Sequence, residues 1–382
     1  MINVNTSPIN YVTDADAAIE GNHKDRKVTL QYSDEAEVLT PPYVLNDLYS
    51  FVEIKKKEIR QAVEDAAELN KEQEISNSLQ DAIIDSSQKL EFYKAWTDGG
   101  KNVISPILEM MLESILKDES NTKKSEDLMQ IMVFDILLNK EKWGLNLGDL
   151  NADGIDANKY FGYITENFGS GMHNNYAGKE TDKPEKIINW FLDTVLPKLE
   201  GKVPENSLSY KIMQYFKSEG NKTELKNLAK NYDVKDSISH TESTSTHVSP
   251  ALKLFLLGQG AATGKVSSEK WGEFIAGDIK TIKEILGITG EGKKSLSDWL
   301  VNEKIGWTYD TSGQLDYNQG HEGGIPIEKL SEFFEKFPSR ILTDEEMSSI
   351  NRTGDNVKMI MQTLKYWFQI LRDEKMAIAR NI

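Results

Sequence analysis

Between Leu342 and Ile382, apolar side chains return every three or four residues without a slip: Met347, Ile350, Val357, Met361, Leu364, Phe368, Leu371, Ile378 and Ile382. Only Gly354 and Lys375 interrupt the row, and no proline falls inside it. This period puts two positions of each heptad on one face of an α-helix. A helix over the whole stretch runs about 60 Å at about 1.5 Å per residue. Thr343-Asp344-Glu345-Glu346 is a capping box at its start, with Leu342 and Met347 in the positions of a hydrophobic staple. A long core helix and a coiled-coil strand share this pattern until a partner is found.

A row with the same spacing lies near the other end: Leu45, Leu48, Val52, Lys55, Ile59, Ala62, Ala66 and Leu69, opened by Thr40-Pro41-Pro42. Two such rows, far apart in sequence, pair when the chain between them returns. An antiparallel coiled coil has that property. The expected fold is therefore mainly α. It is an elongated helical protein whose long C-terminal heptad helix lies in an antiparallel coiled coil, with a small β-hairpin and globular helical insertions. Val357, Met361, Leu364, Phe368, Leu371 and Ile378 are its candidate partner-binding seam.

The rest of the chain partitions by composition. Residues 1–40 are polar and read as a mobile N-terminal arm with one short strand at Lys27–Tyr32. Residues 41–118 form an N-terminal helical region that includes the coiled-coil partner helix, and 119–236 a helical globular insertion. Residues 237–250, SISHTESTSTHVSP, are rich in Ser and Thr and read as a linker. Residues 251–341 form a second helical and hairpin module, and 342–382 the long helix. In that second module, Trp307–Tyr309 and Gln314–Tyr317 flank the turn Asp310-Thr311-Ser312-Gly313, the pattern of a β-hairpin.

Charge and cysteine narrow the function classes. With 45 basic and 61 acidic residues the net charge is −16, the wrong sign for a nucleic-acid or anionic-membrane surface. The chain has no cysteine, which removes disulfides, thiol nucleophiles and zinc–thiolate sites. No window is apolar enough to span a bilayer. The opening MINVNTSPIN lacks the basic and apolar regions of a cleaved signal peptide, so if this protein leaves the cell it goes by a route other than the general secretory one.

Motifs that carry chemistry are few. Asp149, Asn151 and Asp153, with Gly154 and Ile155 after them, copy the first half of a calcium loop. Position 12 of that loop is Tyr160, where a bidentate acid should close the shell, and an Asx-rich turn capping the next helix has the same sequence signature. Calcium is thus the one candidate cofactor. Gly258–Lys265 has the wrong glycine spacing for a phosphate loop and Val266 in place of the magnesium-binding hydroxyl, so it reads as a flexible turn. The five histidines are scattered, none paired at i, i+4, and no Gly-x-Ser-x-Gly elbow occurs. Nothing in these residues calls for an enzyme.

Several of these features together resemble the secreted, extracellular components of bacterial type III secretion systems, the hydrophilic needle-tip and translocator-associated proteins. The start MINVNTSPIN resembles their uncleaved secretion signals. Gly306-Trp307 through Phe337, with Ile325, Ile327 and Leu330, is similar to the segment they carry before the last helix, and Met361-Gln362-Thr363-Leu364-Lys365-Tyr366 resembles their terminal helix in character. The likeness covers the last third and the N-terminal arm, and 119–250 departs from it. It implies a non-enzymatic protein that self-associates as a homo-oligomer and docks its C-terminal helix on the secretion needle or sister subunits. It also implies a secretion chaperone in the cytoplasm and a place at the bacterial surface or outside the cell. A secreted effector acting in host cells through 100–340 and a cytoplasmic helical scaffold are the alternatives.

Overall fold

The computed structural model describes residues 40–66, 73–152, 154–174, 183–317 and 324–380. The expected arm at 1–39, with its strand at Lys27–Tyr32, lies outside them. In chain order the first helices are α1 (Leu45–Ala66), α2 (Gln73–Asp98), α3 (Lys101–Lys117), α4 (Lys124–Asn139) and α5 (Ala157–Asn167). Helix α6 (Lys183–Trp190) continues through a π turn, Phe191–Val195, into a last turn, Leu196–Leu199. Then come α7 (Leu208–Tyr215), α8 (Glu219–Lys230), α9 (Pro250–Ala262), α10 (Trp271–Ala276), α11 (Ile279–Leu286) and α12 (Lys294–Asn302). Strands β1 (Trp307–Tyr309) and β2 (Leu315–Tyr317) precede α13 (Ile327–Glu335) and α14 (Asp344–Arg380). The protein is mainly helical, as expected, with one two-stranded antiparallel sheet among the described residues.

The chain divides into two compact units. One takes the residues up to Leu90 together with those from Met347 onward, and the other is Glu91–Glu346. Residues 119–236 and 251–341 both lie in the second unit, where α3 packs against helices of each.

In the first unit the 3–4 spacing of α1 is realised as a buried face of Leu48, Val52, Lys55 and Ile59. Lys55 is admitted because its stem packs like a hydrocarbon while its ammonium reaches Glu58, 2.9 Å away. Leu79, Ile83, Ser86, Ser87 and Leu90 form the matching face of α2. Ser87 ties the two helices: its hydroxyl donates to Glu53 and accepts from Lys56 Nζ at 3.0 Å.

The second unit is built around α4. Every residue from Ser125 to Ile136 is buried, the burial of a helix enclosed on all sides. Helices α3, α5, α7, α8 and α9 pack on it. The hairpin forms where the sequence placed it, in the register Trp307↔Tyr317, Thr308↔Asp316 and Tyr309↔Leu315. Asp310 Oδ1 closes its turn by accepting from the N–H groups of Ser312 and Gln314, both at 2.8 Å. Trp307 then packs edge-on against Phe255 and Tyr317 in the core.

Two expectations are corrected here. The stretch 237–250 is not a linker: Ser237, Ile238, Ser239, Ser243, Val248 and Ser249 are all buried inside this unit. Its hydroxyls satisfy local turns, with Ser243 Oγ donating to Asp236 O and Ser249 Oγ accepting from Leu252 N to cap α9. A polar composition is thus buried without orphaned groups. Of the glycines in the expected turn, Gly264 does turn the chain after α9, at φ 70°, whereas Gly258 and Gly260 lie inside α9, where a methyl group would meet Phe333 and Phe337 at one and Val266 and Leu286 at the other. Their lack of a side chain serves close packing.

Candidate functional site

Helix α14 starts as its sequence dictates. Glu346 N donates to Thr343 Oγ1 at 3.2 Å, and Thr343 N donates to Glu346 Oε2 at 2.8 Å, so the capping box is complete. Arg340 holds the Glu346 carboxylate with both guanidinium ends, at 3.0 Å for Nη1, and lies 4.5 Å above the Trp96 ring. Of the candidate seam, Val357, Met361 and Leu364 are buried. The side chains of Phe368, Leu371 and Ile378 lie outside the described residues, although the helix runs through these positions.

The buried face is broader than two positions per heptad. Ile350, Thr353, Gly354, Ile360 and Trp367 are buried as well, while Met347 is exposed and takes no part. This is the wide stripe of a helix packed in a multi-helix unit. On the opposite side of α14, Met359, Tyr366 and Ile370 are 60 %, 67 % and 55 % exposed. The sequence row did not mark this second stripe, because a polar Thr363 interrupts it.

The second unit holds a polar spine that sequence reading missed. Gln130, fully buried on α4, donates from Nε2 to the carbonyls of Ile164, Thr165 and Phe168 and accepts at Oε1 from Ala251 N, 3.1 Å away. One side chain thus closes the end of α5 and the start of α9. Asp135 accepts from Ser209 N and Oγ, both at 2.7 Å, at the start of α7. Asp127 accepts from Ser170 N at 2.8 Å, Ser170 Oγ at 2.6 Å and Asn121 Nδ2 at 2.8 Å. Burial nevertheless pushes its carboxyl up to about 6.

Beside it, Glu126 Oε2 accepts from Gly169 N at 2.7 Å and faces His173 Nε2 at 2.9 Å. His173 Nδ1 faces the Asp233 carbonyl at 3.1 Å, and the Tyr232 ring stacks on the imidazole with centroids 4.2 Å apart. The two ring nitrogens therefore face oxygen atoms, a carboxylate on one side and a backbone carbonyl on the other. Burial acts to raise the Glu126 pKa, but the His173 charge and hydrogen bond, with Lys123 and Gly169 N–H, hold it below the usual value. Lys253 on α9 is also buried; its ammonium donates to Ile275 O at 2.7 Å, and burial brings its pKa down to about 8. At the end of α5, Glu166 is buried with Oε2 unpartnered; burial, then the nearby Asp316, push its pKa well above that of an ordinary carboxyl.

His173 and Glu126 are both fully enclosed. Chemically, the spine is a clamp: it fastens 167–174 and 233–237 to α4. The trough along α8 lined by Lys123, Glu224, Asn227 and Asn231 is shallow and open.

At the calcium-like loop, Asp149 and Asn151 are exposed. Asn151 Oδ1 accepts from Ala157 N at 2.9 Å and Asp156 Oδ1 from Asn158 N at 3.0 Å, so the loop caps the start of α5. Trp190 Nε1 anchors it from α6 by donating to Leu150 O at 2.9 Å. Asp153 lies outside the described residues. Among the described residues, no three acidic or histidine side chains converge as a metal would require, and no helix is long and apolar enough to cross a membrane. Comparison with known proteins adds nothing further: no protein family, curated protein or solved structure matches this chain.

Proposed function

We propose that this is a non-enzymatic protein of type III secretion, of the needle-tip or translocator-associated class, which works by contact with other chains. The observation that carries the reading is the two-sidedness of α14. One face is packed within its own unit, and a second apolar stripe on the same helix is left to solvent. Exposed apolar residues aligned on one helix face favour a protein partner over a small-molecule substrate.

In this reading α1 and α14 pair as an antiparallel coiled coil, and the second unit is inserted between them in sequence. The partners are sister subunits and the secretion needle, with a chaperone before export. Excess negative charge and the absence of cysteine suit a chain that unfolds for export and refolds outside the cell.

The test is location. The protein should be found in the culture supernatant or on the cell surface of a secretion-competent strain, with its N-terminus unprocessed, and be lost from both in a strain lacking the secretion ATPase. Accumulation in the bacterial cytoplasm of both strains would eliminate the reading. Recovery from the host-cell cytosol would replace it with an effector.

A further inference from the structure

We infer that a second copy of this chain docks antiparallel on the exposed stripe of α14, through Met359, Thr363, Tyr366 and Ile370. The inference rests on the reading of α14 as the self-association helix and adds the face, the partner and the orientation.

The four residues are all exposed and share one face of the helix. Their steps are four, three and four, a spacing that reads the same in both directions. Laid against itself in reverse, the stripe sets Met359 opposite Ile370 of the other copy and Thr363 opposite Tyr366. Every core position then meets its complement, as a two-fold interface requires. In heptad terms Met359 and Tyr366 are d positions and Thr363 and Ile370 are a positions, so each layer joins an a to a d, the layering of antiparallel coiled coils. A parallel pairing would instead stack Thr363 on Thr363, leaving a small polar layer in the centre.

The rim fits the same partner. The adjoining g positions are Gln362 and Gln369, which face each other across the reversed pair without charge. In a chain of net charge −16, a neutral rim lets two copies approach without like charges meeting. Beyond the stripe the same face turns polar, at Arg352 and Asn356 on one side and Asp373 on the other, which limits the pairing to these layers.

The chain's lack of cysteine gives a clean test. Met359→Cys and Ile370→Cys full-length proteins are prepared separately, oxidised alone and as a mixture, and resolved without reductant. In the antiparallel pair the two copies of position 359 are offset by eleven residues, about 16 Å at the helical rise, too far for a disulfide. The expected result is a covalent dimer in the mixture and none in either single pool. Sedimentation of the unsubstituted chain at tens of micromolar should show dimer, and Tyr366→Glu should shift it to monomer with its circular dichroism and melting curve unchanged. Dimers in the single pools mean a parallel pair and overturn the proposal. So does a monomeric unsubstituted chain, or a dimer that Tyr366→Glu leaves intact. None of these three results touches the export assay, so the inference and the functional reading can fail separately.

Discussion

The ring of Tyr43 lies against the bare backbone of Gly354: a methyl group at that glycine would sit 2.4 Å from the Tyr43 Cδ2 carbon. The same tyrosine donates its backbone N–H to Asn351 Oδ1 at 3.0 Å and its hydroxyl to Asp355 Oδ1 at 2.9 Å. The glycine that breaks the apolar row of α14 is therefore where the residues leading into α1 dock on it. In an unpacked helix, Gly→Ala stabilises by about 1 kcal/mol. Here Gly354→Ala should destabilise the first unit by about 1–3 kcal/mol through overpacking. In chemical denaturation, the combination with Tyr43→Ala should restore the ordinary sign, giving a large coupling in a double-mutant cycle.

The clamp on α4 has two adjacent carboxylates with opposite pH behaviour. Glu126 is held below its ordinary value of 4.5, so its contribution is present above that pH and is lost as the pH falls. Asp127 is raised from 3.8 to about 6, so its contribution is complete below 3.8 and is lost as the pH rises through 6. Glu126→Gln should cost about 3 kcal/mol at pH 7, because it removes the charge facing His173. It should also flatten the acid limb of the stability–pH curve. Urea titrations between pH 3 and pH 7 measure both, and an acid limb as steep as in the unsubstituted chain would refute the assignment.

Much of this architecture was legible in local sequence. The faces of α1 and α14 and both strands of the hairpin follow from period and turn chemistry alone. The spine was not legible, because its partners are distant: Glu126 and His173 are 47 residues apart, and Gln130 and Ala251 are 121 apart. No spacing rule links such positions. The Ser/Thr stretch at 237–250 was misread for a different reason. Hydroxyl-rich composition marks solvated chain on average, but here Ser243, Ser245 and Ser249 close short turns, Ser237 and Ser239 bond to distant residues, and the segment packs. Ile360 and Trp367 were missed because a strict two-position row undercounts the broad apolar stripe by which a helix packs into a multi-helix unit.

Gln130 joins α5 to α9 with one amide, so its loss should be felt at both. Gln130→Ala leaves the carbonyls of Ile164 and Phe168 and the N–H of Ala251 buried without this partner, and opens a cavity. A loss of about 3–4 kcal/mol is expected from the orphaned groups and the missing volume together. Gln130→Glu should be at least as damaging at neutral pH, since a carboxylate would face three carbonyl oxygens. Thermal melts of the two variants, with hydrogen exchange at Ala251, test the assignment.

Asn151 tests whether the loop at 149–156 is a cap or a cation site. As a cap, Asn151→Ala should lose about 1 kcal/mol through the unsatisfied Ala157 N–H, and Asn151→Asp should keep most of it. The melting temperature should then be the same in calcium and in chelator. A bound ion would raise it in calcium by mass action and make Asn151→Asp the stronger variant.

Glu166 gives the remaining prediction, and its sign is unusual. Its carboxyl is buried at the end of α5, beside the carboxyl of Asp316 and near the backbone N–H groups of Tyr317 and Gly324. Burial and that second carboxyl raise its pKa, so the native state favours the protonated form. Its contribution is then complete below the ordinary value of 4.5 and is lost as the pH rises. Glutamine keeps an acceptor for the backbone groups, supplies a permanent donor toward Asp316 and carries no charge. Glu166→Gln should therefore stabilise the protein at pH 8 by about 1–3 kcal/mol, the order of an uncompensated buried polar group. The gain should shrink as the pH falls toward 4. Denaturation at pH 4, 6 and 8 reads this directly, and a loss at pH 8 would mean that the native state holds Glu166 ionised.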